Sequence, residues 1–188
     1  MIKTIPFSLF VVLGILLFTV VSCEKPETFP PEPEIKFKSF QFFDSIDGLG
    51  NKVKRGELIF TLIDGDGDVG LRDTDTTGKF HKDSLYYNDL FVKLFTKKNG
   101  KFEEVKLLIP HNYRLPYLTP EGQNKTLKAE VKIKLEYNIA FFPYDTIRYD
   151  FFVADRFIHV SNTVSSPEIP LKYKGIITID KSTLGVTK

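Results

Sequence analysis

The chain has 188 residues, with 26 Lys and Arg against 24 Asp and Glu, a formal net charge of +2 and no basic run. That balance argues against nucleic acid as a partner. Its single cysteine leaves no internal disulfide, so stability must come from a core, for which 18 Phe and 8 Tyr supply material, or from a metal.

Residues 1–22 carry Lys3 and then an apolar run from Phe7 to Val21 broken only by Ser8, Gly14 and Thr19. The run is short for a membrane-spanning helix and has the charged and apolar regions of a secretory signal. It ends in Val20-Val21-Ser22-Cys23, and small or apolar residues directly before a lone cysteine resemble the bacterial lipobox. Cys23 is therefore expected to be lipidated and to become the anchored N-terminus; packing explains poorly a single cysteine at that position.

Glu24 to Glu34 (EKPETFPPEPE) is rich in proline and glutamate, and reads as an extended, solvated tether. From Ile35 the pattern turns to short β-branched and aromatic runs separated by Gly, Asn, Asp and Pro, with no 3.6-residue period. The first strand is expected over Ile35 to Phe43, its alternation blurred by Phe40, Phe42 and Phe43 as at a bulge. Asp47 to Asn51 is a turn, and Glu57 to Ile63 is a nearly continuous apolar run that suits a central strand.

Arg72 to Asn88 is polar. Leu90 to Phe95 should be a strand that turns at Asn99-Gly100, a pair suited to positive φ, and returns through Phe102 to Ile109. Residues 110–126, with three prolines and no alternation, read as a long crossing loop. Val131, Ile133, Leu135 and Tyr137 alternate with charges, and Ile147, Tyr149, Phe151 and Val153 share one face of a strand over Thr146 to Ala154. A last pairing strand is expected near Asn162 to Leu171, and an edge strand through Gly175 to Ile179.

The sum is an all-β protein, an immunoglobulin-like Greek-key β-sandwich of about seven to eight strands. A lipocalin-like barrel, the alternative, needs more uniform hairpins. The expected organisation is a signal peptide over 1–22, lipidated Cys23 and tether over 23–34, the sandwich over 35–172, and an edge strand or tail over 173–188.

The one stretch that reads as chemistry is Asp64-Gly65-Asp66-Gly67-Asp68-Val69-Gly70-Leu71. Asp64, Asp66 and Asp68 stand at positions 1, 3 and 5 of an EF-hand-like count and Asp75 at position 12, but Val69 replaces the glycine of position 6 and no helix flanks the loop. A looser Ca²⁺ loop at a strand end is the reading that remains, with Asp73 or Asp75 returning to the ion and Asp155 as an outside candidate. The bland alternative makes these aspartates turn residues bonded to their own backbone; against it, three carboxylates in five residues repel one another unless a cation or bases intervene.

The loop, together with Tyr113-Arg114-Leu115-Pro116, Leu118 to Lys125, Asp155-Arg156 and Ser161-Asn162, resembles an uncharacterised family of Bacteroidota lipoproteins over roughly residues 35–170. Ala129, where that family is expected to have Gly, is the one departure that touches the backbone. The resemblance implies an outer-membrane lipoprotein and names no activity. Asp44-Ser45-Ile46, Asp75-Thr76-Thr77, Asp83-Ser84-Leu85 and Asp145-Thr146-Ile147 also resemble that phylum's O-glycosylation tripeptide.

No catalytic constellation stands out. His81, His111 and His159 lack ligand spacing for zinc, and Glu103 and Glu104 are adjacent on a strand and so point to opposite faces. Tyr113 and Tyr117 are candidates for an aromatic shelf for a glycan or peptide, although such residues commonly pack a loop onto its own domain. The expected function is a non-catalytic, Ca²⁺-stabilised module of the envelope, lipid-anchored at the outer membrane, that binds a glycan or an envelope protein. The alternative is a purely structural lipoprotein without a soluble ligand.

Overall fold

A computed structural model of the chain describes residues 27–118, 120, 124–138, 142–171 and 177–180. The signal peptide, Cys23 and the polar C-terminal tail lie outside the described residues. Two antiparallel sheets pack face to face. The first is ordered β10-β1-β2-β6, from β1 (Glu34–Ile46), β2 (Lys52–Asp64), β6 (Leu127–Asn138) and β10 (Ile177–Asp180). The second is built on β3 (Leu90–Lys98) and β7 (Thr146–Val153), with β4 (Lys101–Glu104) and β5 (His111–Tyr113) on β3, and β8 (Val164–Ser165) and β9 (Ile169–Pro170) on β7. This is the expected all-β, two-sheet sandwich.

The core lies between the sheets, where period-two alternation sends one face of each strand inward. Phe40, Leu58, Phe60, Leu90, Ile147, Tyr149 and Phe151 are wholly buried there. Phe60 meets Phe151 across the sandwich at 5.2 Å between ring centroids, and Phe40 meets Tyr149 at 5.8 Å. The hydroxyls of buried Tyr137 and Tyr149 bond each other, which satisfies two polar groups that burial would otherwise penalise. A fully buried Leu, Ile or Phe is worth about 1.5–3 kcal/mol. The exposed cross-strand ion pairs, such as Arg55–Glu136, bring about 0.2–1 kcal/mol each, so apolar burial dominates the assembly.

The alternation of β1 changes phase through a register shift between Phe37 and Ser39. That one-residue insertion lets Ile35, Phe37, Phe40 and Phe42 all reach the core, which explains the blurred pattern in the sequence. Asn99 and Gly100 turn the β3–β4 hairpin with φ of 49° and 78°, as expected for a two-residue turn. The return strand is much shorter than the run Phe102 to Ile109 suggests. It pairs with β3 over Lys101–Glu104, with one more bond from the Val105 amide to the Leu94 carbonyl at 2.8 Å; Leu108 and Ile109 then stand in solvent, and the chain rejoins β3 at His111–Tyr113, inside the expected crossing loop. Pro110, which has no N–H to donate, separates the two pairings. The strand expected over Asn162 to Leu171 is likewise split in two, and β10 pairs with β1 as the expected edge.

Gly56, mid-β2, faces inward under the ring of Phe40, where an added Cβ would lie 2.6 Å from Phe40 Cζ. Because Phe40 is wholly buried, its ring has no free direction in which to move. Gly56→Ala is therefore expected to destabilise the domain by about 1–3 kcal/mol, despite alanine's lower chain entropy in the unfolded state. Urea titration should show a lower midpoint with an unchanged slope; an unchanged midpoint would contradict this packing.

Candidate metal centre

The apolar run of β2 carries the chain to Asp64, the strand's last residue, which is 0% exposed. Its Oδ2 accepts hydrogen bonds from the amides of Asp68 at 2.8 Å and Val69 at 3.0 Å, drawing the following residues into a tight loop. Val69 and Leu71 then plug into the core, and the Leu71 amide donates to the Leu115 carbonyl at 2.8 Å. Gly67 is needed twice over: its φ is +69°, and an added Cβ would lie 2.0 Å from the Lys125 carbonyl oxygen. From the other side, the Gly65 amide donates to the Pro30 carbonyl at 3.0 Å. The loop is thus clamped between the N-terminal segment and the crossover.

This geometry brings Asp64, Asp66 and Asp68 together, with one oxygen from each within 4.8 Å of the others. Asp64 Oδ1 and both Asp68 carboxylate oxygens are buried and have no hydrogen-bond partner. Asp66 sits exposed at the rim. Burial, with the charges of Asp66 and Asp68 adding to it, pushes the Asp64 carboxyl up to about 7. Burial, followed by the charges of Asp155 and Asp66, pushes Asp68 up to about 6. Buried carboxylate oxygens without donors are costly, and an oxygen-only donor set at this spacing suits a hard cation. The cluster can hold a metal ion. The turn reading is also part of the answer, since one oxygen of Asp64 does bond the loop backbone while the other is left over.

Asp73 and Asp75, expected to return to the same ion, lie outside this group. Asp73 is exposed. The Asp75 carboxylate instead accepts from the Arg72 amide at 2.8 Å and from the Arg156 guanidinium. Burial works to raise Asp75, but the Arg156 and Arg72 bonds outweigh it and hold the carboxyl below its usual range. Asp155 is near enough to act on Asp68, yet both its oxygens are engaged by His159, through the backbone amide at 2.8 Å and the ring Nδ1 at 2.7 Å. The hydrogen bond to Asp155 in turn raises the His159 pKa.

Neither tyrosine forms an open shelf. Tyr113 is half-buried, its hydroxyl donates to the Lys134 carbonyl at 3.4 Å, and burial pushes its pKa up to about 12. The Tyr117 ring lies under two guanidiniums, those of Arg72 at 4.6 Å and Arg156 at 5.1 Å. Tyr113 does line an open groove of about 540 Å³ that runs between residues 110–126 and β6, together with Leu115, Leu118, Leu127, Val131 and Ile133.

Two residues at this end of the sandwich escape sequence reasoning. Arg114 looks like one more surface cation, but its guanidinium donates to the carbonyls of Tyr87, Arg72 and Asp75 and so ties three loop segments together. Asp89 precedes β3 and is only 3% exposed. Its Oδ1 accepts from the Leu115 amide at 2.7 Å, while Oδ2 is buried without a partner. The one signal for it is a charged residue placed at the mouth of an apolar strand.

No protein-family profile, curated protein or solved structure matches the chain. The fold and the site define a two-sheet β-sandwich whose acidic loop can hold a metal. Among the described residues, no helix is long and apolar enough to cross a membrane.

Burial pushes the Asp89 carboxyl up to about 7. Between the ordinary carboxylate range and that value the folded state holds a proton that the unfolded state has lost, so stability falls as pH rises through this window. Asp89→Asn keeps the acceptor for the Leu115 amide and removes the titration. The variant should gain stability over the parent by more at pH 8 than at pH 5, measured by chemical denaturation in chelator; parallel pH profiles for the two proteins would refute the assignment.

Proposed function

We propose that the chain is a non-catalytic module of the bacterial outer membrane, anchored by lipid on Cys23, whose β-sandwich is stabilised by Ca²⁺ at Asp64, Asp66 and Asp68. The observation that carries the metal reading is the set of three buried, partnerless oxygens on Asp64 and Asp68. Ca²⁺ is favoured over Mg²⁺ because it accepts six to eight oxygens in irregular geometry, so carboxylates from one loop can be completed at the rim by water or carbonyls. Mg²⁺ demands a compact octahedron. The anchoring reading rests on the apolar leader that ends at a lone cysteine.

The module's role is binding or assembly with a glycan or an envelope protein. The groove along β6 supports it, with Tyr113, one of the two tyrosines that the sequence suggested, in its lining: it is otherwise mostly apolar and carries Arg114, Glu130, Lys132 and Lys134. The Tyr117 ring, held under Arg72 and Arg156, serves the loop itself.

A ligand held only by the folded state stabilises it by about 2.7 kcal/mol at a hundredfold excess over its Kd. For a domain of this size that is a rise in Tm of roughly 5–10 °C. Titrating Ca²⁺ into the chelated protein should produce such a rise. Asp68→Asn should melt higher than the parent in chelator, since a buried charge is gone, and should show no Ca²⁺ response. A melting temperature of the parent that does not move at millimolar Ca²⁺ would end the metal reading.

A further inference from the structure

The described N-terminal residues, which follow Cys23 in the chain, and the acidic loop lie at the same end of the sandwich. β1 and β2 pair along their lengths, with Glu34 beside Ile63 at the loop end and Ile46 beside Lys52 at the other. The N-terminal segment does not leave this end freely. Pro30 accepts the Gly65 amide, Glu27 pairs with Lys128 at 2.6 Å, and the Phe29 ring lies 4.4 Å under the same lysine. From Glu27 back to Cys23, at ~3.3–3.6 Å per residue, the chain reaches no further than about 14 Å. A lipid on Cys23 would therefore hold the loop end close to the bilayer, while β2, at ~3.3 Å per residue, sets the Asp47–Asn51 turn roughly 40 Å away.

The loop end also presents the side chains that such a position calls for. Phe157 is 72% exposed, Leu118 51% and Val160 46%; exposed aliphatic side chains also stand at the far end, as Ile46 and Leu49 do, but among the described residues Phe157 is the one aromatic ring that stands so open. Lys79 lies 5.8 Å from the Phe157 ring and donates to the Arg156 carbonyl, which sets a cation beside the exposed ring. These elements share one surface: Arg156, next to Phe157, bonds the Asp75 carboxylate and lies 5.1 Å over the Tyr117 ring beside Leu118, and Leu118 lines a groove with Val69. An exposed ring beside a lysine suits the headgroup layer, where the ring enters the acyl boundary and the ammonium meets phosphate.

We propose that the acidic-loop end of the sandwich rests on the phospholipid headgroups of the membrane that holds the Cys23 lipid, with Phe157 and Leu118 entering the headgroup layer. The proposal rests on the lipid-anchor reading above and adds an orientation: the Asp47–Asn51 and Asn99-Gly100 turns point away from the membrane, and the groove along β6 runs outward from it.

The test uses the full chain, expressed with its leader, purified in detergent and reconstituted into vesicles of phosphatidylethanolamine and phosphatidylglycerol that carry nitroxide-labelled acyl chains. Lipidated Cys23 has no free thiol, so a cysteine placed at Phe157→Cys, Leu118→Cys or Leu49→Cys accepts a fluorophore at one position. All three sites are more than half exposed, so the substitutions disturb no core. Quenching at positions 157 and 118 should exceed that at 49 by at least twofold. Equal quenching at all three, or stronger quenching at 49, on a protein whose intact mass shows the lipid overturns the orientation and leaves the anchor reading standing. An intact mass that shows the N-terminus unmodified overturns both.

Discussion

The loop end depends on one buried carboxylate. Asp64 closes β2 and bonds two amides of the loop that follows, so the sandwich and the loop share a side chain. With Asp64 wholly buried, its second oxygen has neither water nor a donor. Two amide bonds to a charged acceptor bring about 1.5–3 kcal/mol each, while a buried unsatisfied charge costs at least as much. Without a cation, burial and the charges of Asp66 and Asp68 outweigh those bonds, which is why the carboxyl is pushed up to about 7. A cation that uses the remaining oxygen would shift that balance toward a rigid loop.

The consequences spread because three other segments lean on the same loop. Gly65 and Gly67 are pressed against Pro30 and Lys125, and Leu71 is tied to Leu115, which Asp89 fixes in turn. The N-terminal segment, the crossover and the start of β3 therefore share one set of contacts. Arg114, with its three carbonyl acceptors, binds the outer layer of this cap. Loosening the aspartate cluster would loosen all of these together, whereas the core between the sheets, held by Phe60, Phe151 and their neighbours, would be little affected.

The sequence exposes this architecture wherever a local rule decides the outcome. The β7 alternation, the Asn99-Gly100 turn and the bulge of β1 can each be read because side-chain parity or positive φ leaves few alternatives. The short β4 is misread from Leu107 to Ile109, where three apolar residues in a row imitate a strand although two of them face solvent. At the site, the every-second-residue spacing of Asp64, Asp66 and Asp68 is visible because it is local. The fates of Asp75 and Asp155 are not, because Arg156 and His159 reach them only through the fold. Sequence spacing ranks carboxylates by their distance along the chain, and the structure ranks them by which cation reaches them first.

The two ends of the sandwich solve the same electrostatic problem differently. At the far end, Asp47 is exposed and accepts from the amides of Leu49 and Asn51 and from the Asn51 side chain. Those bonds, that of the Asn51 side chain foremost, hold its carboxyl below the usual range, and the turn needs nothing further. At the loop end, the Arg156 guanidinium bonds Asp75 and the His159 amide and ring bond Asp155, so two of the acidic groups there have partners from the chain itself. No base bonds Asp64 or Asp68, although the charges of His159 and then Arg156 work to lower the Asp68 carboxyl. A chain with 26 basic residues does not lack cations. Two carboxylates without a base inside a clamped loop, with a third at the rim, form an arrangement that can hold a cation from solution.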